Sequence, residues 1–228
     1  PTPTAFEYVV MALVTYLLSY ITIFFNVALV CAADERMKGG DPTLRGALSD
    51  AWRHAAAIAP WALVSVVVSM VLRAIEQRGG LLGDIAARLL GVAWALITFL
   101  VLPVLVLEGL TVREAIARSK ALFTKTWGEA VTGQLGMNIV AFLAILVPLP
   151  LLLLIGGGGQ PGLVAIAIGV GLLWFLVVTV VFGALNMVFR VALYQYAADG
   201  QAPDGFEELD LGDVFPPKRQ RGLFGRSA

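Results

Sequence analysis

Four long stretches without a single charged residue constrain this chain more than any other feature. Residues 8–33, 55–72, 89–107 and 130–189 contain no Asp, Glu, Lys or Arg. A helix rising 1.5 Å per residue needs about 20 residues to cross a ~30 Å hydrocarbon layer. The fourth stretch is long enough for two crossings, and Gly156-Gly157-Gly158-Gly159-Gln160-Pro161 divides it. Five transmembrane helices are therefore expected, over 8–31, 56–74, 87–107, 130–155 and 162–190. Lipid leaves open backbone groups unsatisfied, and none of these stretches alternates with period two, so a β-barrel is excluded and the fold class is all-α integral membrane. With 59% hydrophobic and 14% charged residues, and a mean hydropathy of +0.85, a water-soluble globule of this size could not hide its apolar surface.

The basic residues orient the spans. Of the 16 Lys and Arg, only Arg73, Arg78 and Arg88 fall on one side. Arg36, Lys38, Arg45, Arg53, Arg113, Arg118, Lys120, Lys125, Arg190 and the tail residues Lys218, Arg219, Arg221 and Arg226 fall on the other. This bias places the second side in the cytoplasm, with the C-terminus there. The chain starts at Pro1 rather than a methionine, so upstream residues are expected. A protein starting in the cytoplasm would need a sixth span ahead of Pro1.

Both cytoplasmic loops carry an amphipathic helix, over about 42–55 and 111–126. Leu44, Ala47, Leu48, Ala51, Trp52 and Ala55 make one apolar face, with Asp41 or Thr43 as N-cap. Val112, Ala115, Ile116, Ser119, Leu122 and Phe123 make the other, and Thr111 with Glu114 reads as a capping box. Such helices either lie in the headgroup plane or pack on the spans, and the pattern leaves both open. Thr43-Leu44-Arg45-Gly46-Ala47-Leu48 also matches Thr111-Val112-Arg113-Glu114-Ala115-Ile116 at an offset of 68 residues. The match suggests a parallel internal repeat, as does the echo of Phe25-Asn26-Val27-Ala28-Leu29 in Phe189-Arg190-Val191-Ala192-Leu193. Residues 1–199 thus read as the bundle and 200–228 as a cytoplasmic tail, acidic and then basic, attracted to anionic lipid.

Ionisable and amide side chains within a bilayer are costly, which makes Asn26, Glu108, Asn138, Asn186 and Arg190 the candidate site residues. Each also has a plainer account. Glu108 can be an interfacial carboxylate favoured by the dipole of the following helix, or else a proton or cation site. Arg190 can snorkel to headgroups, and it shares a helix face with Asn186 four residues before it. The three asparagines suit interhelical hydrogen bonds as well as a translocation path. Pro60, Pro103, Pro148 and Pro150 invite kinks, yet three lie near span ends, so continuous spans are expected. Trp61, Trp94, Trp127 and Trp174 suit interface belts or bundle packing. Asp50, Arg53 and His54 suit a solvated helix face.

Nothing resembles an active site. One cysteine, Cys31, excludes an internal disulfide, and one histidine, His54, excludes paired-His metal sites. The four-glycine run lacks the Lys-Ser or Lys-Thr of a phosphate loop, and there is no zinc-protease, nucleophile-elbow or dinucleotide motif. No metal or other cofactor is expected. The 16 acidic residues cancel the basic ones, which gives no reason to expect nucleic acid.

Several stretches resemble a family of bacterial polytopic membrane proteins of unknown function: Phe25-Asn26-Val27-Ala28-Leu29, Gly39-Gly40-Asp41-Pro42-Thr43, Pro103-Val104-Leu105-Val106-Leu107-Glu108-Gly109, Arg118-Ser119, Lys125-Thr126-Trp127-Gly128-Glu129 and Ala192-Leu193-Tyr194-Gln195-Tyr196-Ala197. The resemblance runs along nearly the whole chain and implies the same helical topology, with a further N-terminal span. The Glu108-Gly109, Ala115 and Arg118-Ser119 pattern is also similar to the membrane domain beside some glycerophosphodiester phosphodiesterases. Neither resemblance implies an activity here. The expectation is a non-enzymatic scaffold or accessory subunit of a bacterial cytoplasmic membrane, in contact with lipids and with other membrane-protein subunits or itself. The alternatives are a transporter of a small molecule, ion or lipid, and a lipid-acting membrane enzyme.

Overall fold

The structure is a computed structural model that describes residues 4–157 and 160–199. The tail expected over 200–228, with its basic residues, and Gly158 and Gly159 of the glycine run lie outside the described residues. The described residues form nine helices and no strand: α1 (Ala5–Met37), α2 (Leu44–Arg53), α3 (Ala55–Arg78), α4 (Gly80–Ile97), α5 (Val101–Leu107), α6 (Val112–Lys125), α7 (Trp127–Leu146), α8 (Leu149–Gly156) and α9 (Pro161–Asp199). They make five segments long and apolar enough to cross a membrane: Val9–Met37, Ala55–Arg78, Gly80–Leu107, Ala130–Ile155 and Pro161–Ala198.

The first and last helices outrun the hydrocarbon-matched stretches of the sequence. Helical hydrogen bonding does not stop at the membrane surface, so α1 continues through Asp34, Glu35 and Arg36, and α9 continues past Arg190 to Asp199. Two spans are interrupted where continuous helices were expected, and proline chemistry accounts for both. Pro103 has no N–H to offer the carbonyl four residues back, and the chain opens between α4 and α5 at 98–100. Ser119 of α6 fills the break, donating its hydroxyl to Ile97 O at 2.7 Å and accepting from Leu100 N at 3.1 Å. Pro148 separates α7 from α8 and leaves the carbonyl of Ala144 short of its helical donor, while the indole N–H of Trp174 on α9 reaches that carbonyl at 2.9 Å. Pro60 sits inside an unbroken α3.

The core gathers at the end of the bundle that carries α2 and α6. Val27 and Val30 of α1, Ile58 of α3, Leu100, Val101 and Val104 around the α4–α5 break, Ala115 and Leu122 of α6, and Val191 of α9 are fully buried in one cluster. The two amphipathic helices pack on protein through part of the stripes read from the sequence, burying Ala47 and Ala51 of α2 and Ala115, Ser119 and Leu122 of α6, while Leu44 and Trp52 of the α2 stripe stay exposed. Ala47 corresponds to Ala115, and Ala51 to Ser119, at the repeat offset of 68 residues. Thr43 is the N-cap of α2, its Oγ1 accepting from Gly46 N at 3.1 Å, and the Thr111–Glu114 capping box opens α6. α1 lies at the centre, against α2, α3, α5 and α9; α3 pairs with α4, their indoles Trp61 and Trp94 stacked at 6.1 Å. α7 and α8 rest chiefly on α9 and form an edge, where none of the apolar window of the fourth span is buried.

Candidate functional site

Polar side chains converge at the α2/α6 end, beginning with Glu108. It caps the C-terminus of α5, and Gly109 follows with φ of +64°, a left-handed conformation that a glycine adopts without steric cost. That turn and the Thr111 cap send α6 back along the bundle. Arg118 thereby offers its Nε to both Glu108 oxygens, at 3.1 and 3.2 Å. The hydroxyl of Tyr194 on α9 donates to Glu108 Oε1 at 3.1 Å. One carboxylate so ties α5, α6 and α9 together. The side chains of Glu108 and Arg118 keep 21% and 41% of their exposure, which leaves the pair open to screening and limits its worth.

One turn back along α9, the Arg190 guanidinium lies over the Phe99 ring, 4.6 Å from its centroid. Its Nε is sealed from solvent and has no hydrogen-bond partner. A further turn back is Asn186. Gln134 of α7 donates to Asn186 Oδ1 at 2.7 Å and to Asn138 Oδ1 at 3.0 Å, while Asn186 Nδ2 donates to Phe182 O at 3.0 Å. This cluster sits where α7 and α9 approach closely. A Cβ on Gly133 would come within 2.3 Å of Phe189 Cζ.

The five expected site residues thus divide. Asn138 and Asn186 meet through Gln134, and Glu108 and Arg190 engage other partners toward the α2/α6 end. Asn26 is half-buried on α1 and takes part in none of these hydrogen bonds. An apolar groove of about 290 Å³ between α1 and α2, lined by Phe25, Ala28, Leu44 and Leu48, includes none of the five.

A second polar constellation escaped the sequence reading. Asp34 of α1 accepts from Lys38 Nζ at 2.7 Å and from Gln195 Nε2 of α9 at 2.9 Å. It opens on a cleft of about 490 Å³ lined by Cys31, Asp34, Glu35, Lys38, Asp50 and His54. Where a solvated face was expected, Asp50 and His54 are half-buried at this cleft; Asp50 pairs with exposed Arg53 at 3.3 Å, and His54 Nδ1 lies 2.8 Å from Asp50 O. Among the described residues no group of three or more His, Cys, Asp or Glu side chains is placed to hold a metal ion. Glu108 and Asp34 each accept from one cation and one neutral donor, an arrangement suited to joining helices.

Gln134, Tyr194, Asp34 and Gln195 were not singled out from the sequence. The 186, 190, 194 spacing of four residues was a signal for Tyr194, and the 134, 138 spacing was one for Gln134. No comparable signal marked Asp34 with Gln195, since they are 161 residues apart. Three stretches that carry the family resemblance, Glu108-Gly109, Arg118-Ser119 and Tyr194-Gln195, come together in space at these contacts. No curated protein and no solved structure matches the chain. A family model matches residues 5–206, and by it the chain belongs to the family described as "Family of unknown function (DUF6159)".

Proposed function

We propose that this multi-pass helical protein is a non-enzymatic scaffold or accessory subunit of a bacterial cytoplasmic membrane, joining other membrane-protein subunits or copies of itself through the α7 edge. Nine of the 12 basic residues among the described residues lie on the α2/α6 side, which supports a cytoplasmic location for that end. The observation that carries the reading is Asn138. It is exposed on α7 among exposed Leu135, Ile139 and Phe142, its Oδ1 is engaged by Gln134, and its amide nitrogen donates no hydrogen bond among the described residues. An amide donor presented to hydrocarbon gains from a partner on another helix, and such bonds contribute about 0.6–2 kcal/mol each. Gly136 beside it has open space where a Cβ would be, which permits close approach of a second backbone.

The transport reading draws on the same polar residues, and it requires them to share one cavity. Their division between the Gln134 cluster and the Glu108 and Arg190 contacts favours helix joining instead.

The test is photo-crosslinking in native membranes with a crosslinking residue at Phe142, and at Leu82 on the opposite hairpin as a control. Adducts at 142 that Asn138→Leu reduces several-fold are expected. A strictly monomeric protein with no adduct at 142 would end this reading.

A further inference from the structure

Arg190 is a cation at membrane depth whose charge no described carboxylate balances. None of the ion pairs among the described residues includes it. Glu108, which Tyr194 reaches from one turn further along α9, is already held by Arg118. The guanidinium carbon lies 4.6 Å from the centroid of the Phe99 ring, and Nε is sealed without an acceptor. Nη1 and Nη2 are neither sealed nor hydrogen-bonded, so the outer edge of the fork is open. An arginine held over a ring with guanidinium nitrogens free of protein acceptors is suited to a tetrahedral oxyanion.

The depth selects the source of that anion. The last span begins at Pro161. Arg190 lies 29 residues further along the same helix, which rises about 1.5 Å per residue from the near headgroup boundary. This puts the side chain near the far phosphate layer, about 43 Å along the helix, against a full bilayer thickness of about 40–45 Å. Arg118 belongs to the same end of the bundle, tied through Glu108 to Tyr194, one turn beyond Arg190 on α9. Its Nε is spent on Glu108, its other guanidinium nitrogens make no hydrogen bond among the described residues, and its side chain is 41% exposed.

We propose that Arg190, steadied by Phe99, binds the headgroup phosphate of an anionic phospholipid in the leaflet on the α2/α6 side. This assignment requires the spans to sit in a bilayer and is independent of the α7 docking face. The lipid phosphate supplies the counter-charge that the fold omits, and the acyl chains lie along the exposed flank of α9.

The test uses the full chain in phosphatidylcholine nanodiscs, with thermal midpoint and retained lipid read while phosphatidylglycerol is titrated in. Phosphatidylglycerol should stabilise the protein and remain bound after exchange. Arg190→Gln should weaken its apparent affinity about tenfold, as expected for losing one charge-assisted contact. Arg190→Lys should weaken it about threefold or less, and Arg88→Gln on the opposite side should leave it unchanged. Should Arg190→Gln not fold, the unaltered protein gives a second readout. A photoactivatable phosphatidylglycerol should label α9 near 186–194 in preference to a phosphatidylcholine analogue. Equal affinity in the Gln variant, or equal labelling by both lipids, overturns the proposal. So does stabilisation by inorganic phosphate alone, which would make the ligand a free anion. Loss of crosslinked partners in Arg190→Gln with unchanged lipid binding overturns it as well, since a partner's carboxylate would then be the counter-charge.

Discussion

Glu108 shows what a single carboxylate accomplishes at the rim of the bundle. It accepts from a cation on α6 and a phenol on α9, residues 10 and 86 positions away in sequence. Removing it with Glu108→Ala takes this acceptor from the partly exposed Arg118 guanidinium and from the hydroxyl of the buried Tyr194. Since water can still reach Arg118, we expect a loss of about 1–2 kcal/mol rather than the larger cost of a fully buried pair. A double-mutant cycle with Arg118→Ala, read as thermal midpoints in detergent, should return a coupling of about 1 kcal/mol. A coupling near zero would show that the two side chains act independently. Ser119 illustrates a different economy. Its hydroxyl is fully buried and serves both sides of the break ahead of Pro103.

At the scale of elements, α6 carries a titratable device of its own. Glu114 accepts from the Thr111 hydroxyl at 2.6 Å and the Thr111 N–H at 3.0 Å. These bonds favour the ionised form, so the carboxyl is held below its ordinary value, first by the Thr111 side chain and then by its backbone. A carboxylate lowered in the folded state adds stability above its unfolded pKa, and that stability fades as pH falls through the folded value. Amide protection factors over 111–115 should therefore drop on acidification, and Glu114→Gln should remove this pH dependence. Unchanged protection in the acid range would refute the cap's role. The sequence announced this cap and offered Thr43 beside Asp41 for α2, because an N-cap is a local pattern of three or four residues. It did not announce the breaks near Pro103 and Pro148. Whether a proline interrupts a membrane helix depends on who answers the freed carbonyls, and here Ser119 and Trp174 help from other helices.

For the whole molecule, the α7–α8 edge is joined to the remainder largely through α9. Gly133 is the closest point of that seam. Gly133→Ala would force the Phe189 ring aside, since its Cβ would lie 2.3 Å from Cζ. We expect a cost of about 1–3 kcal/mol, seen as a lower thermal midpoint and weaker disulfide crosslinking between cysteines placed on α7 and α9. An unchanged midpoint would mean that the ring swings away freely. The sequence by itself determined the number of spans and the apolar stripes of α2 and α6. Hydrocarbon acts on each stretch separately, and a stripe needs only helical spacing. The tertiary structure alone decided that these stripes cover protein, that the core lies at the α2/α6 end, and that Gln134 joins Asn138 to Asn186. It alone matched Asp34 with Gln195 across 161 residues. Such pairings depend on how separate helices are set against one another, and no local periodicity encodes that.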